Sequence, residues 1–382
     1  MAVGLSYLAA KAAEYSARVD WIAGQLANIP TLSSHHSYLD QHLSQRIREA
    51  RKRIARLRTI IQLNIPALLP RGVSIVNELQ LDIYVLSQSY LPALRKEAAS
   101  ESEFGRLATK SATRCGLTDV QEIVVNFSGG HAILSAMLSC PLMFAPPHQR
   151  HTLIGLAAIY HEFGHLVFNA RPEVRDGLAR VCTDYFRALD QAGGFMTHAE
   201  REERKKQISQ ARAYWTIRRL AEIFCDIFAT HTTGPAYYFL CVDMAIRHRD
   251  DPFEIDLTDE HPPMAARVFV CRTALTPAQF TSEVGQKVSA LWEEHLRSKT
   301  SSAEFRLWCG DSLLEGLVNE IITSLSRSGA FRGYTGSGYH SQLTPTPDVN
   351  LEELLNESVR MLLHDPNTYE AWEQPYIDAL FQ

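Results

Sequence analysis

The sequence predicts an α+β chain that is predominantly α-helical. Three observations carry this. Apolar residues recur at steps of three and four over long stretches, the period of a helix face. Glycine and proline divide those stretches into separate helices. Between them lie two short β-favouring runs, "EIVVNF" at 122–127 and "CPLMFAP" at 140–146, which read as a small sheet.

The elements follow in order. Leu43, Ile47, Ala50, Ile54, Leu57 and Ile61 form a helix seam. Its other faces carry Arg46, Arg48, Arg51, Lys52, Arg53, Arg56 and Arg58. A basic amphipathic helix can bind a membrane or nucleic acid, or it can be the solvated face of a packed helix. "NIPALLPRG" breaks it with two prolines, and helical spacing resumes over 73–98. "EIVVNF" then reads as a strand with "SGG" as its turn, and proline confines "CPLMFAP" to an edge or a strand end. A helix is expected from about 150 to 170, closed by "RP". Residues 173–232 read as helical throughout, stopped by "THTTGP". "PAYYFLCVDMAI" is a buried helix, and another starts near the double proline of "HPPMAAR". "FRLWCGDSLLEGLVNEIITSLS" and "LEELLNESVRMLLHD" are helical, separated by a Gly/Ser/Thr/Pro-rich stretch at 327–350 that reads as a mobile loop.

Composition excludes several classes. A net charge of −5 and a pI near 6.3 make no global case for nucleic acid or an anionic membrane. No apolar run reaches the roughly 18 residues of a membrane span. The first residues lack a basic segment followed by an apolar core, so they do not read as a signal peptide. Seven scattered cysteines without a CxxC pair fit reduced thiols, and a cytoplasmic location is expected.

The chemistry centres on "LAAIYHEFGHLVFNA" at 156–170. His161 and His165 stand at i and i+4, hence on one helix face, where two imidazoles can bind one tetrahedral Zn²⁺. Glu162 sits about 100° round the helix, at the rim of that face, placed to take a proton from a metal-bound water. With 15 histidines in 382 residues, such a pattern arises by chance in roughly a few per cent of chains, so two histidines without a metal remain the alternative. The apolar flanks argue against it, because buried ionisable groups need partners. Gly164 leaves room for a ligand or a second backbone.

The site then lacks a third protein ligand. "RRLAEIFCDIFATH" places Glu222 and Asp226 at i and i+4 among apolar residues. A buried carboxylate pair calls for a cation. Glu222 would complete a His₂Glu set, and Asp226 would accept the free ring N–H of a ligand histidine. The alternative is a carboxylate paired with Arg218 or Arg219 at the helix surface. Cys225 lies off that face and reads as packing.

HEFGH, the helical "EIFCD" and the later "HPPMAAR" together resemble the gluzincin metallopeptidases, most nearly the HtpX and CAAX-prenyl endopeptidase group. That group shows HExGH, a distant ExxxD and HPxxxxR. The similarity covers roughly 140–275 and is closest to soluble relatives, since no membrane span is present. It implies a zincin-like core over 111–300 with a small sheet, flanked by an N-terminal helical segment (1–110) and a C-terminal one (301–382). It implies His161, His165 and Glu222 as zinc ligands, Glu162 as general base, and Asp226 as the partner of His161. His261 can then donate to the tetrahedral intermediate, and Arg267 can clamp Asp226 or another acid. For these two the alternative is a helix-capping segment with a surface arginine. His231, Tyr214, Tyr237 and Tyr238 are other possible donors, or core.

The expected activity is a zinc-dependent endopeptidase acting on peptides or unfolded protein, with no nucleic acid and no membrane span. "CPLMFAP" can be an edge strand for the peptide, or an ordinary core strand. The N-terminal helices and the 327–350 loop can cover the cleft. A zinc-stabilised binding module without turnover and an exopeptidase on the same scaffold are the alternatives.

Overall fold

Helical periodicity becomes helix along most of the described residues. The computed structural model describes residues 2–29, 37–90, 99–117, 123–126, 135–136, 142–144, 152–192, 197–247, 251–329, 331–336 and 343–381. They fall into two compact units: residues 1–106 with 121–128, and residues 107–120 with 129–382.

The first unit is built on α1 (Ala2–Ala27), α2 (Ser37–Leu63) and α3 (Leu69–Tyr84), each packed on the other two. The α2 seam buries Leu43, Ile47, Ala50, Ile54 and Leu57, then passes to Ile60; Ile61 is only partly covered. A helix of 3.6 residues per turn favours the step of three there. Asn64, at φ 53, ends α2 in the left-handed region that asparagine tolerates. Of the two prolines after it, Pro66 opens a single 3₁₀ turn. Pro70 sits in the first turn of α3, where a missing N–H is harmless. The basic face of α2 meets acids of its neighbours. Arg51 pairs with Asp20 at 2.8 Å, Arg53 with Glu78 at 3.1 Å and Asp82 at 2.5 Å, and Arg46 with Asp82 at 3.6 Å.

The second unit carries the ionisable cluster. After α4 (Ala99–Arg114), which starts in the first unit, come two strands, Ser135–Ala136 and Leu142–Phe144. They pair antiparallel, Ser135 opposite Phe144 and Ala136 opposite Met143. Val124–Asn126, in the first unit, is a third short extended piece. Strands of two or three residues make no layer, so the fold is all-α, and the α+β class with a zincin-like core and small sheet does not hold. Pro141, Pro146 and Pro147 bound one run and Gly129 and Gly130 follow the other. Proline withholds the ladder donor and glycine weakens a strand. The "SGG" turn lies outside the described residues.

Helices supply the core instead. Leu153–Leu156 forms α5 and Ala158–Ala170 forms α6, which Arg171 ends so that Pro172 opens α7 (Pro172–Gln191). The stretch 173–232, read as helical throughout, is divided: α7 ends at Gln191, and at a second break α8 (His198–Tyr214) stops and α9 (Ile217–Thr233) starts anew. The reason is tertiary. Trp215 is buried at the break, and its indole N–H donates to the Trp308 carbonyl at 2.7 Å. Gly234, at φ 65, caps α9. Around α9 pack α6, α10 (Pro235–Arg247), α11 (Met264–Ala274), α15 (Asp311–Ser328) and α16 (Leu351–His364); α12 (Pro277–Phe280), α13 (Glu283–Leu296) and α14 (Ala303–Trp308) lie between in sequence. From Leu220 to Thr233 nearly every residue of α9 is buried, Asp226 completely and Glu222 nearly so.

Helix α17 (Tyr369–Leu380) closes the described chain. Within 327–350, Gly329 caps α15 and residues 331–336 lie against the end of α9, where the Tyr334 N–H donates to the His231 carbonyl at 2.8 Å. Residues 330 and 337–342 of that expected loop are outside the described residues. Among the described residues no helix is long and apolar enough to cross a membrane.

Candidate metal centre

Helices α6 and α9 pack closely because Gly164 lets them. A Cβ at Gly164 would stand 2.7 Å from Cys225 Cα. The room this glycine leaves is thus taken by a second backbone. Phe168 and Phe224, with ring centroids 5.4 Å apart, pack the next turn. In this register the histidine face of α6 meets the carboxylate face of α9. His161, Glu162, Glu222 and Asp226 are all buried.

The side chains converge. His161 and His165 have ring centroids 5.1 Å apart, as one helical turn requires. Glu222 reaches both: its Oε2 stands 3.2 Å from His161 Nε2 and its Oε1 stands 3.4 Å from His165 Nε2. Behind this layer Asp226, wholly buried, faces His161 Nδ1 at 3.0 Å. A carboxylate only accepts, so Nδ1 carries the proton and Nε2 is the nitrogen presented to Glu222.

Asp226 is saturated by donors. Arg267 Nε–H donates to Oδ2 and Nη2–H to Oδ1, both at 2.7 Å, a bidentate pair inside the core. The Tyr237 hydroxyl donates to Oδ1 at 2.7 Å and lies 2.8 Å from His161 Nδ1. Burial opposes the Asp226 charge, but Arg267 outweighs it and holds the carboxyl well below the usual range. Burial likewise opposes charge on His161, yet Asp226 and Glu222 raise its pKa to about 10. For His165 burial, helped by charged His161, lowers the pKa to about 4. Burial works against Glu222 as well, but His161 and Arg267 hold it down at about 2. Charged His161 and Arg267 thus face the anionic Asp226 and Glu222.

Three further residues frame the site. Glu162 is buried on α6, and its charge is felt by the Cys225 thiol of α9. The His261 ring is half exposed, with Nε2 3.5 Å from Glu222 Oε2 and Nδ1 2.8 Å from Asp259 Oδ1. Met264–Ala274 does begin after the double proline, but Arg267 is 7% exposed and aimed inward, so it is no surface arginine. Tyr237 is part of the Asp226 network rather than a free donor. Tyr238 packs away from it, its hydroxyl 3.3 Å from Ser289 Oγ. His231 is at the far end of α9 under Gly333, and Tyr214 is stacked by Arg219. Strand Ser135–Ala136 contacts α6. Asp259 escaped the sequence reading; its signal is the Asx position two residues before His261.

The donor set fits a divalent cation. Glu222 Oε2 is buried without a hydrogen bond: His161 Nε2 and His261 Nε2 are near it but not aligned. Such an oxygen calls for a cation. Glu222 bridges the two imidazoles, one oxygen to each: Oε2 at 3.2 Å from His161 Nε2 and Oε1 at 3.4 Å from His165 Nε2. Cys225 Sγ also comes within 4.8 Å of ligand nitrogens of both histidines. Burial pushes its thiol pKa well up; Cys225 and Glu222 are the two candidate third donors beside the histidines. No known protein family, curated protein or solved structure matches the chain.

Proposed function

We propose that this chain is a zinc-dependent endopeptidase of the HExxH-plus-Glu kind. The carrying observation is the convergence of His161, His165 and Glu222, with one Glu222 oxygen left without a hydrogen bond. The reading concerns this site and not the zincin fold, which the helices replace.

His161, His165 and Glu222 would hold the metal through Nε2, Nε2 and the carboxylate. Bound zinc supplies Lewis acidity toward a carbonyl and a water of pKa near 7. Glu162 accepts the proton of the attacking water at its carboxylate and delivers it to the departing amine. His261, oriented by Asp259, presents Nε2 toward the reacting carbonyl oxygen. Asp226, Arg267 and Tyr237 fix the His161 tautomer and ring plane. A cytoplasmic setting and unfolded or peptide substrates belong to the same proposal. Its support is that the six cysteines among the described residues are free thiols, all buried.

The test is metal content of protein purified without added metal, beside Glu222→Ala, followed by cleavage of an end-blocked peptide library with Glu162→Gln as control. One zinc per chain, lost in Glu222→Ala, and cleavage lost in Glu162→Gln support the reading. No zinc in the wild type, even when offered, sinks it.

One observation favours a second reading, a closed structural zinc site without turnover. Cys225 lies near both histidines, and His₂GluCys would leave no position for water. Cys225→Ala separates the two, since the peptidase keeps its zinc and the closed site loses it.

A further inference from the structure

Arg219 lies on α9 one turn before Glu222 and is 6% exposed. A buried guanidinium usually faces a carboxylate. Here its hydrogen bonds go to backbone carbonyls. Nη1 donates to Tyr214 O at 2.8 Å. Nη2 donates to Asp256 O at 3.3 Å, Leu257 O at 3.0 Å and Asp259 O. The neighbouring Arg218 pairs with Glu260. Helix α9 thus grips residues 256–260, the segment that leads into His261.

That segment is itself arranged around His261. Asp259 Oδ1 accepts the His261 backbone N–H at 2.9 Å and stands 2.8 Å from its ring Nδ1. The ring is half exposed, so hydrogen bonds rather than packing set its direction. The result is an Nε2 that stands 3.5 Å from Glu222 Oε2.

We propose that Arg219 is a positioning residue, anchoring the Asp259–His261 pair so that His261 Nε2 is held over Glu222. The role at the reacting centre rests on the peptidase reading; the anchoring itself does not. The planar fork spans carbonyls on both sides of the guanidinium, whereas a lysine ammonium offers its donors from one point. Without the fork, the segment keeps mainly solvent-exposed hydrogen bonds, which open readily.

The experiment compares full-length zinc-loaded wild type with Arg219→Lys, Asp259→Asn, His261→Ala and the Arg219→Lys/His261→Ala double variant. Hydrogen exchange follows the Thr258 and His261 amides, and nitrogen-15 NMR follows the His261 tautomer. Arg219→Lys should speed exchange at both amides at least about tenfold, leave the amides of α6 and zinc content unchanged, and let the ring sample both tautomers. On a cleaved peptide, the double variant should be no slower than His261→Ala, because Arg219 acts through His261. Unchanged exchange, or a fully additive loss in the double variant, overturns the proposal. If Arg219→Lys fails to fold, Asp259→Asn decides: the proposal requires loss of the single tautomer, and a retained one overturns it. If the zinc-loaded wild type cleaves nothing, the peptidase reading fails, while exchange and tautomer still decide the anchoring.

Discussion

Arg267 and Asp226 form a bidentate ion pair inside the core, with both N–H···O distances 2.7 Å and both residues buried. Removing one partner leaves a buried charge. Arg267→Met should therefore cost about 3–5 kcal/mol in urea unfolding, several times an ordinary surface substitution. A loss below about 1 kcal/mol would show that the pair is not isolated from water.

The same pair sets a pH dependence. The Asp226 pKa is lowered in the fold from an ordinary 3.8. A depressed carboxyl contributes stability fully above its unfolded pKa and loses it as pH falls toward the folded value. The urea midpoint of wild type should drop as pH falls below about 4, and Arg267→Met should lack this part of the slope. Equal slopes in the two proteins would remove Asp226 from the account.

Zinc binding should release protons. His161 is raised to about 10 in the metal-free protein and must be neutral to coordinate, whereas His165, at about 4, already is. Titration calorimetry near pH 7 in buffers of different ionisation enthalpy should give about one proton released per zinc. Zero release would mean that His161 is not a ligand.

Tyr237→Phe deletes the hydroxyl that bonds Asp226 and lies 2.8 Å from His161 while keeping the ring. Partners behind a metal ligand typically govern affinity by about 10–100-fold, so zinc held against a chelator should weaken by that order. Unaltered affinity would make the tyrosine a packing residue.

Gly164→Ala pits helix propensity against contact. Alanine favours a helix by about 1 kcal/mol over glycine, but its Cβ would meet Cys225 Cα at 2.7 Å. Backbone gives way poorly, so the net effect should be a destabilisation of about 1–3 kcal/mol with weaker zinc binding, read by thermal melting and chelator competition. A stabilised variant would show that α6 and α9 can separate freely.

Much of the site was legible because its spacing is local. His161 with His165, and Glu222 with Asp226, share a face by i, i+4 geometry on any helix, and apolar flanks foretold burial. The seam from Leu43 to Leu57 was legible for the same reason. The small sheet was over-read. Residue types favoured strands at 122–127 and 140–146, but prolines and glycines beside them left two- and three-residue pieces. The break between α8 and α9 had no local breaker, because a distant carbonyl, that of Trp308, holds Trp215.

What the sequence alone determined is therefore a set of helices and, on two of them, the residues able to meet a cation. Helical period and side-chain chemistry suffice for that, since both act within a few residues. Only the tertiary structure decided which groups close the site. It put Tyr237 and Arg267 on Asp226, turned Arg219 away from carboxylates toward carbonyls, and set Asp259 behind His261. Those choices depend on where buried charges find partners once helices pack, and that is a property of the folded core rather than of any one segment.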